Sequence, residues 1–262
     1  MSIKTRFTGA RWAPRLVAIT RTVDPLLADT LKVLGLVYVA CVFSWGMAAL
    51  HLPLEIHVPV IAALLLAGIF ALVLRGLPAH RHARFGFANL VTSLRAGIVS
   101  LVGATVLFSH SFGAAHFDSL IWWTVAAVLF ALALDGVDGY LARRYRQQSE
   151  LGARFDMEVD ALLILILSIG ATVLGKAGLW VVLIGLMRYA FVMAQWFLPK
   201  LRGELAPSFR RKAVCVVQVA VLCLVLVPQV VPPVSTAMAA IALAALLYSF
   251  GVDGIALMRR PA

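Results

Sequence analysis

DGVDGYLARRYRQQSELGARFDMEVD, residues 135–160, is the stretch from which the rest of the chain is read. Six of the protein's twelve acidic residues fall inside it: Asp135, Asp138, Glu150, Asp156, Glu158 and Asp160. The sequence around it is apolar. Of 262 residues, 62% are hydrophobic and 13% charged, and the mean hydropathy is +0.96. A soluble domain of this size needs far more polar surface. Apolar runs of about 18 to 25 residues recur instead, the length that crosses a hydrocarbon core of roughly 30 Å. Only helices or closed barrels satisfy their backbone there, and uninterrupted runs of Leu, Ala and Val mean helices. The expected fold class is all-α, a polytopic membrane helix bundle.

Runs near 31–50 and 57–75 form a first hairpin, joined by the short, proline-containing HLPLEIH. The basic linker RGLPAHRHAR, 75–84, follows, and six further runs lie near 87–109, 119–142, 156–175, 178–199, 212–229 and 234–257. The total is eight spans. Residues 1–30 read as a basic, amphipathic segment on the cytoplasmic surface, with Lys4, Arg6, Arg11, Arg15 and Arg21 and with Trp12 as an interfacial anchor. No apolar core ending in a cleavage site marks it as a signal peptide.

The net charge of +11 on such a chain marks cytoplasmic loops and anionic lipid headgroups rather than nucleic acid. Alternating eight spans from a cytoplasmic N-terminus places 19 of the 23 Lys and Arg on the cytoplasmic side. Lys32, Arg95 and Arg188 fall within spans or at their edges, and Lys176 alone falls outside. The 135–160 stretch then faces the cytoplasm, and the membrane is the cytoplasmic (inner) one. The three cysteines, Cys41, Cys215 and Cys223, all lie in apolar runs and give no disulfide framework or zinc spacing. His80 and His82 lie in the basic linker and read as headgroup contacts; the other histidines fall at the outer side.

Asp135 and Asp138, three apart, share a face at the end of the fourth span, and Asp156 and Asp160, four apart, share one at the start of the fifth. A short loop makes these helices antiparallel neighbours, so four carboxylates converge at the membrane boundary. One carboxylate at bilayer depth costs at least ~2.5 kcal/mol on insertion scales, and like charges add repulsion. A divalent cation offsets both. Hard oxygen donors with no nearby His or Cys select Mg²⁺, Mn²⁺ or Ca²⁺, and two ions about 4 Å apart would suit phosphoryl transfer. Gly136, Gly139, Ala142 and Gly152 leave room for a phosphate or nucleotide to approach the backbone, and Arg143 supplies a fixed positive partner. Glu158 falls off the shared face and Glu150 sits in the loop; both read as solvated or salt-bridged.

At these positions the sequence resembles the CDP-alcohol phosphatidyltransferase family, whose signature is DxxDGxxAR, eight residues, then GxxxDxxxD. Asp135, Asp138, Gly139, Ala142, Arg143, Gly152, Asp156 and Asp160 match every fixed position. The resemblance implies a six-helix catalytic core over 85–262, preceded by the extra hairpin and linker of 31–84. It implies phospholipid biosynthesis by transfer of a phosphatidyl group from CDP-diacylglycerol to an alcohol, with release of CMP. Asp135, Asp138 and Asp156 would ligate the divalent ions, two of Mg²⁺ or Mn²⁺. Asp160 would be the general base and also touch a metal. Asp138, Gly139, Ala142, Arg143 and Gly152 would line the CDP site. Asn89, Thr92 and Arg95 match the way family members open the third span and join that site.

Family members with phosphorylated acceptors are similarly basic where this chain has Arg188, Arg210, Arg211 and Lys212, so Arg188, Arg211 and Lys212 are candidates for the acceptor. Arg188, a cation inside the sixth span, needs a partner, for which Asp156 or Asp160 is the alternative to an acceptor phosphate. Val214, Cys215 and MEVDA stand where glycerol phosphate-using members carry a Lys-Thr pair and PVADK, which weakens that acceptor assignment. Dimers are common in the family, and membrane lipids are the expected surroundings. A UbiA-like prenyltransferase would carry two Asp-rich motifs much further apart. A metal or ion transporter would favour carboxylates near mid-bilayer on broken helices.

Overall fold

The computed structural model describes residues 25–51, 54–80, 82–114, 118–145, 149–203 and 209–259. The basic segment with Lys4, Arg6, Arg11, Arg15, Arg21 and Trp12 lies outside them. Eight α-helices and no strand occur among the described residues: α1 Pro25–His51, α2 His57–Gly76, α3 Phe87–Phe108, α4 Asp118–Arg144, α5 Glu150–Val173, α6 Val182–Phe197, α7 Phe209–Leu226 and α8 Val234–Met258. The polytopic bundle expected from composition is the observed architecture.

Two boundaries differ from the hydropathy reading. Helix α1 is already helical at Pro25, the first described residue, rather than from near 31. Helix α5 starts at Glu150 rather than 156. Ser149, in extended backbone, caps it by accepting from the Gly152 N–H at 3.0 Å. Glu150 and Gly152 therefore lie in the first turn of the helix, not in the preceding loop.

Six of the eight helices are long and apolar enough to cross a membrane; α5 and α7 are not among them. Asp156, Glu158 and Asp160 interrupt the first half of α5, and Arg210, Arg211 and Lys212 occupy the first turn of α7. The expectation of eight spans treated these helices as ordinary apolar runs. Their charged ends are what builds the site described below.

Helix α3 is the hub, packing against α1, α2, α4 and α5. It suits that place because Ala96, Ser100 and Ala104 recur every four residues and are buried, letting neighbouring backbones come close. A Cβ at Gly103 would lie 2.8 Å from Ile166 Cδ1 on α5. The hydroxyls of Ser93 and Ser100 bond back to the carbonyls of Asn89 and Ala96, so they bury no unsatisfied group.

At the end of the bundle away from the aspartates, two polar ties close the loops. Lys176, placed outside by the charge pattern, is buried, and its ammonium donates to the carbonyls of Val227, Pro228 and Val230 at 3.1, 3.0 and 2.8 Å. These belong to the turn after α7, where carbonyls lack helical partners. Lys176→Met is expected to lower stability by about 1–3 kcal/mol and to leave turnover per folded molecule unchanged; a thermal midpoint equal to wild type would remove this role.

Glu55, between α1 and α2, accepts from the Ser109 hydroxyl at 2.7 Å and from the Ser111 N–H and hydroxyl, both at 3.1 Å. Partial burial pushes its carboxyl up, but hydrogen bonds from Ser109, its own backbone and Ser111 outweigh this and hold it at about 2, against an ordinary 4.5. A carboxylate with a depressed folded pKa stabilises fully above its unfolded pKa and loses that contribution as pH falls through the folded value. The stability advantage of wild type over Glu55→Gln should therefore be constant above about pH 5 and shrink from about pH 4 towards pH 2. A difference in melting temperature that stays flat with pH would contradict this assignment.

Candidate active site

Helices α4 and α5 are not the packed neighbours that the short loop led us to expect: each packs on α3 instead, so that Asp135 and Asp138 of α4 and Asp156 and Asp160 of α5 meet around one α3 side chain, Arg95. Its Nη1 lies 3.1 Å from Asp135 Oδ1 and 2.8 Å from Asp138 Oδ2 and also donates to Asp156, while Nη2 donates to Asp160. Arg95 is only 2% exposed. A guanidinium is planar, always charged and multiply donating, so it can hold several carboxylates where an ammonium would not. The sequence reading expected four converging carboxylates and placed Arg95 on the nucleotide; the structure puts Arg95 at their centre.

Oxygens of Asp135, Asp156 and Asp160 come within 4.8 Å of one another, close enough to share a metal ion. The donor set fits Mg²⁺ or Mn²⁺: hard oxygens only, with four carboxylates facing one guanidinium and hence an excess of negative charge. Asp138 differs from the other three. It is buried and accepts from Thr92 as well as Arg95. The Thr92 hydroxyl is 3.1 Å from both Asp138 Oδ2 and the Ala88 carbonyl, one proton between two acceptors.

Asn89 lies one turn before Thr92, buried, with its amide donating to the Phe85 carbonyl. Its Oδ1 is 2.6 Å from where a Cβ on Gly152 would sit. Glycine at 152 is thus a packing requirement that brings the first turn of α5 against α3.

A cavity of about 690 Å³ extends from the carboxylates between α4, α5, α6, α7 and α8. Gly136 and Gly139 line it beside Asp135 and Asp138, and a Cβ on Gly136 would meet open space. Cys215 lines it too, its Sγ donating to Asp160 Oδ2 at 3.8 Å, so the expectation of no cysteine near the carboxylates does not hold in space, where α7 comes alongside α5. The side chains of Ala142, Arg143 and Lys212 lie outside the described residues.

Arg188 and Arg211 also line the cavity. Arg188 is half-buried and pairs with Glu158, not with the alternative partners Asp156 or Asp160, because Arg95 already holds those two. Glu158 is salt-bridged, one of its two expected states, and Glu150 pairs with Arg154 one turn on. Arg211 approaches Asp253 of α8 at 3.5 Å, and Arg210 bonds the same carboxylate at 2.5 Å. Asp253 was missed in the sequence, although an acidic residue inside an otherwise apolar last span signals that a partner must exist. Gln218, also missed, is fully buried in the cavity wall and donates to the Ala242 carbonyl at 2.7 Å.

A model of the CDP-alcohol phosphatidyltransferase family matches residues 85–248. Neither a curated protein nor a solved structure matches the chain. The matched region is well over half of the sequence, runs from the turn before α3 into α8, and contains Arg95 with all four aspartates around it. This all-helical, multi-pass membrane protein belongs to the CDP-alcohol phosphatidyltransferase family, transferases of substituted phosphate groups that act in phospholipid biosynthesis.

Proposed function

We propose that the protein transfers a phosphatidyl group from CDP-diacylglycerol to an alcohol and releases CMP. The observation that carries this reading is the convergence of the four aspartates on Arg95 beside a cavity that Arg188 and Arg211 also line. Asp135, Asp156 and Asp160, with Asp138 beside them, would hold one or two Mg²⁺ or Mn²⁺ ions, which when bound supply charge neutralisation at the donor diphosphate and the departing CMP.

The chain's own residues do the rest. Asp160 removes the proton from the acceptor hydroxyl, whose pKa lies far above 7 and which needs a positioned base. The acceptor oxygen bonds to the phosphorus that carries the diacylglycerol, the bond from that phosphorus to the CMP oxygen breaks, and the proton stays on Asp160. Arg95 fixes the carboxylates against rotation, Gly136 and Gly139 let the donor approach the end of α4, and Gly152 seats the first turn of α5 against Asn89. Arg188 and Arg211, with Lys212, would receive the charged part of the acceptor.

Arg75, Arg84, Arg144 and Arg210 sit at the aspartate end and Lys176 at the other, so the positive-inside rule supports a site facing the cytoplasm. The donor's acyl chains stay in lipid while its nucleotide enters the polar cleft.

The test is a panel: purified protein, acyl-labelled CDP-diacylglycerol, Mg²⁺ or Mn²⁺, and glycerol 3-phosphate, serine, inositol phosphate or choline in turn. A labelled phospholipid should appear with one acceptor class; label remaining in the donor throughout would count against the reading. Gly152→Ala should lower kcat/KM for the donor by roughly tenfold to a hundredfold. The added methyl must displace Asn89 or lift α5 from α3, and unchanged kinetics would show that the close approach is dispensable.

A further inference from the structure

The hairpin of α1 and α2 and its linker precede the family match, yet they bond directly to the site's framework. His80, at the end of the linker's 3-10 turn, is 6% exposed rather than turned to lipid headgroups. Its Nε2 is 2.8 Å from the Arg84 carbonyl, which can only accept, so Nε2 carries the proton. In the neutral ring Nδ1 is then the acceptor, 3.1 Å from the Ser149 hydroxyl. Ser149 Oγ in turn accepts from the Gly152 N–H at 3.0 Å. Every donor and acceptor in this chain has one partner, and it ends at the first turn of α5, one turn before Asp156.

A second tie reaches the same place. Asp29 of α1 accepts from the Phe85 N–H at 2.9 Å, and the Phe85 carbonyl accepts from Asn89, which abuts Gly152. A Cβ on Gly76, the last residue of α2, would lie 2.8 Å from Leu151 Cδ1. The hairpin and linker thus grip the start of α5 from two sides.

We propose that His80 is a positioning residue: through the Ser149 cap it sets where α5 begins, and so where Asp156 and Asp160 stand relative to Arg95. The extra hairpin is then a working part of the transferase and not only an added membrane anchor. The kinetic part of the test rests on the proposed reaction; the exchange part does not.

The full chain in lipid nanodiscs is compared as wild type, His80→Ala, Ser149→Ala, the double variant and Ser149→Thr. Deuterium uptake over residues 150–156 should rise in His80→Ala, with α7 unchanged. Turnover should fall about tenfold with donor KM changed much less. Ser149→Ala should match it, Ser149→Thr should stay near wild type, and the double variant should be no slower than either single, because both remove one interaction. Wild-type uptake over 150–156 in His80→Ala overturns the proposal whatever the protein catalyses. Raised uptake with unchanged turnover overturns it as well, and so do multiplicative losses in the double variant. Absence of transfer by wild type would sink the proposed reaction instead, leaving the exchange result to decide the grip on α5.

Discussion

Arg95→Met is expected to cost about 3–5 kcal/mol of stability and to lower turnover by roughly a hundredfold to a thousandfold. The guanidinium is 2% exposed and touches all four aspartates, whose own side chains are 6 to 36% exposed. Removing it leaves an uncompensated cluster of like charge at the membrane boundary, where the carboxylates protonate, splay apart or draw in water. Arg95→Lys should recover more stability than turnover. An ammonium restores one positive charge but lacks the planar fork that contacts both helix ends at once. Melting curves and initial rates on the same preparations test this; Arg95→Met with wild-type stability and rate would show that the aspartates need no internal counter-ion.

The second large effect is on chemistry alone. Asp160→Asn keeps the shape of the side chain and a hydrogen-bonding oxygen towards Arg95, while removing the group proposed to take the acceptor's proton. Turnover should fall about 10²–10⁴-fold, with a thermal midpoint close to wild type, because the amide relieves repulsion among the carboxylates as it weakens the ion pair. Asp138→Asn provides the contrast. Asp138 is tied to Thr92 and Arg95 beneath the other three carboxylates, so its loss should act on donor binding and stability more than on the proton-transfer step. Rates of Asp160→Asn within a few-fold of wild type at saturating substrates would remove Asp160 as the base.

Much of this was legible before any coordinates. The three- and four-residue spacings of the aspartates, on helices joined by a short loop, determine which faces they share. The hydropathy runs locate all eight helices, six of them to within about four residues at either end and α1 and α5 with starts six residues late. The misses have physical causes. Hydropathy could not see that Ser149 caps α5 and moves its start six residues upstream, because a cap is a matter of backbone geometry and one hydroxyl. The place of Arg95 among the aspartates was not visible because a resemblance carries a residue's place in a motif, not its neighbours in space. The alternative partners named for Arg188 also proved taken: Asp156 and Asp160 are held by Arg95, and Glu158, off their face, is left for Arg188. His80 read as a headgroup contact because its run is basic, whereas burial under Phe85 and Ser149 depends on packing between segments 69 residues apart. Asp253 was a signal present and unused.

The central claim is that the aspartate cluster catalyses acceptor-dependent cleavage of a CDP-linked lipid. Its most direct test is CMP release from CDP-diacylglycerol over a titration of Mn²⁺, with the acceptor panel, for wild type and Asp160→Asn side by side. CMP is expected from wild type only when both the ion and a suitable alcohol are present, and almost none from Asp160→Asn under the same conditions. No CMP with any alcohol, with wild type and Asp160→Asn indistinguishable, would contradict it.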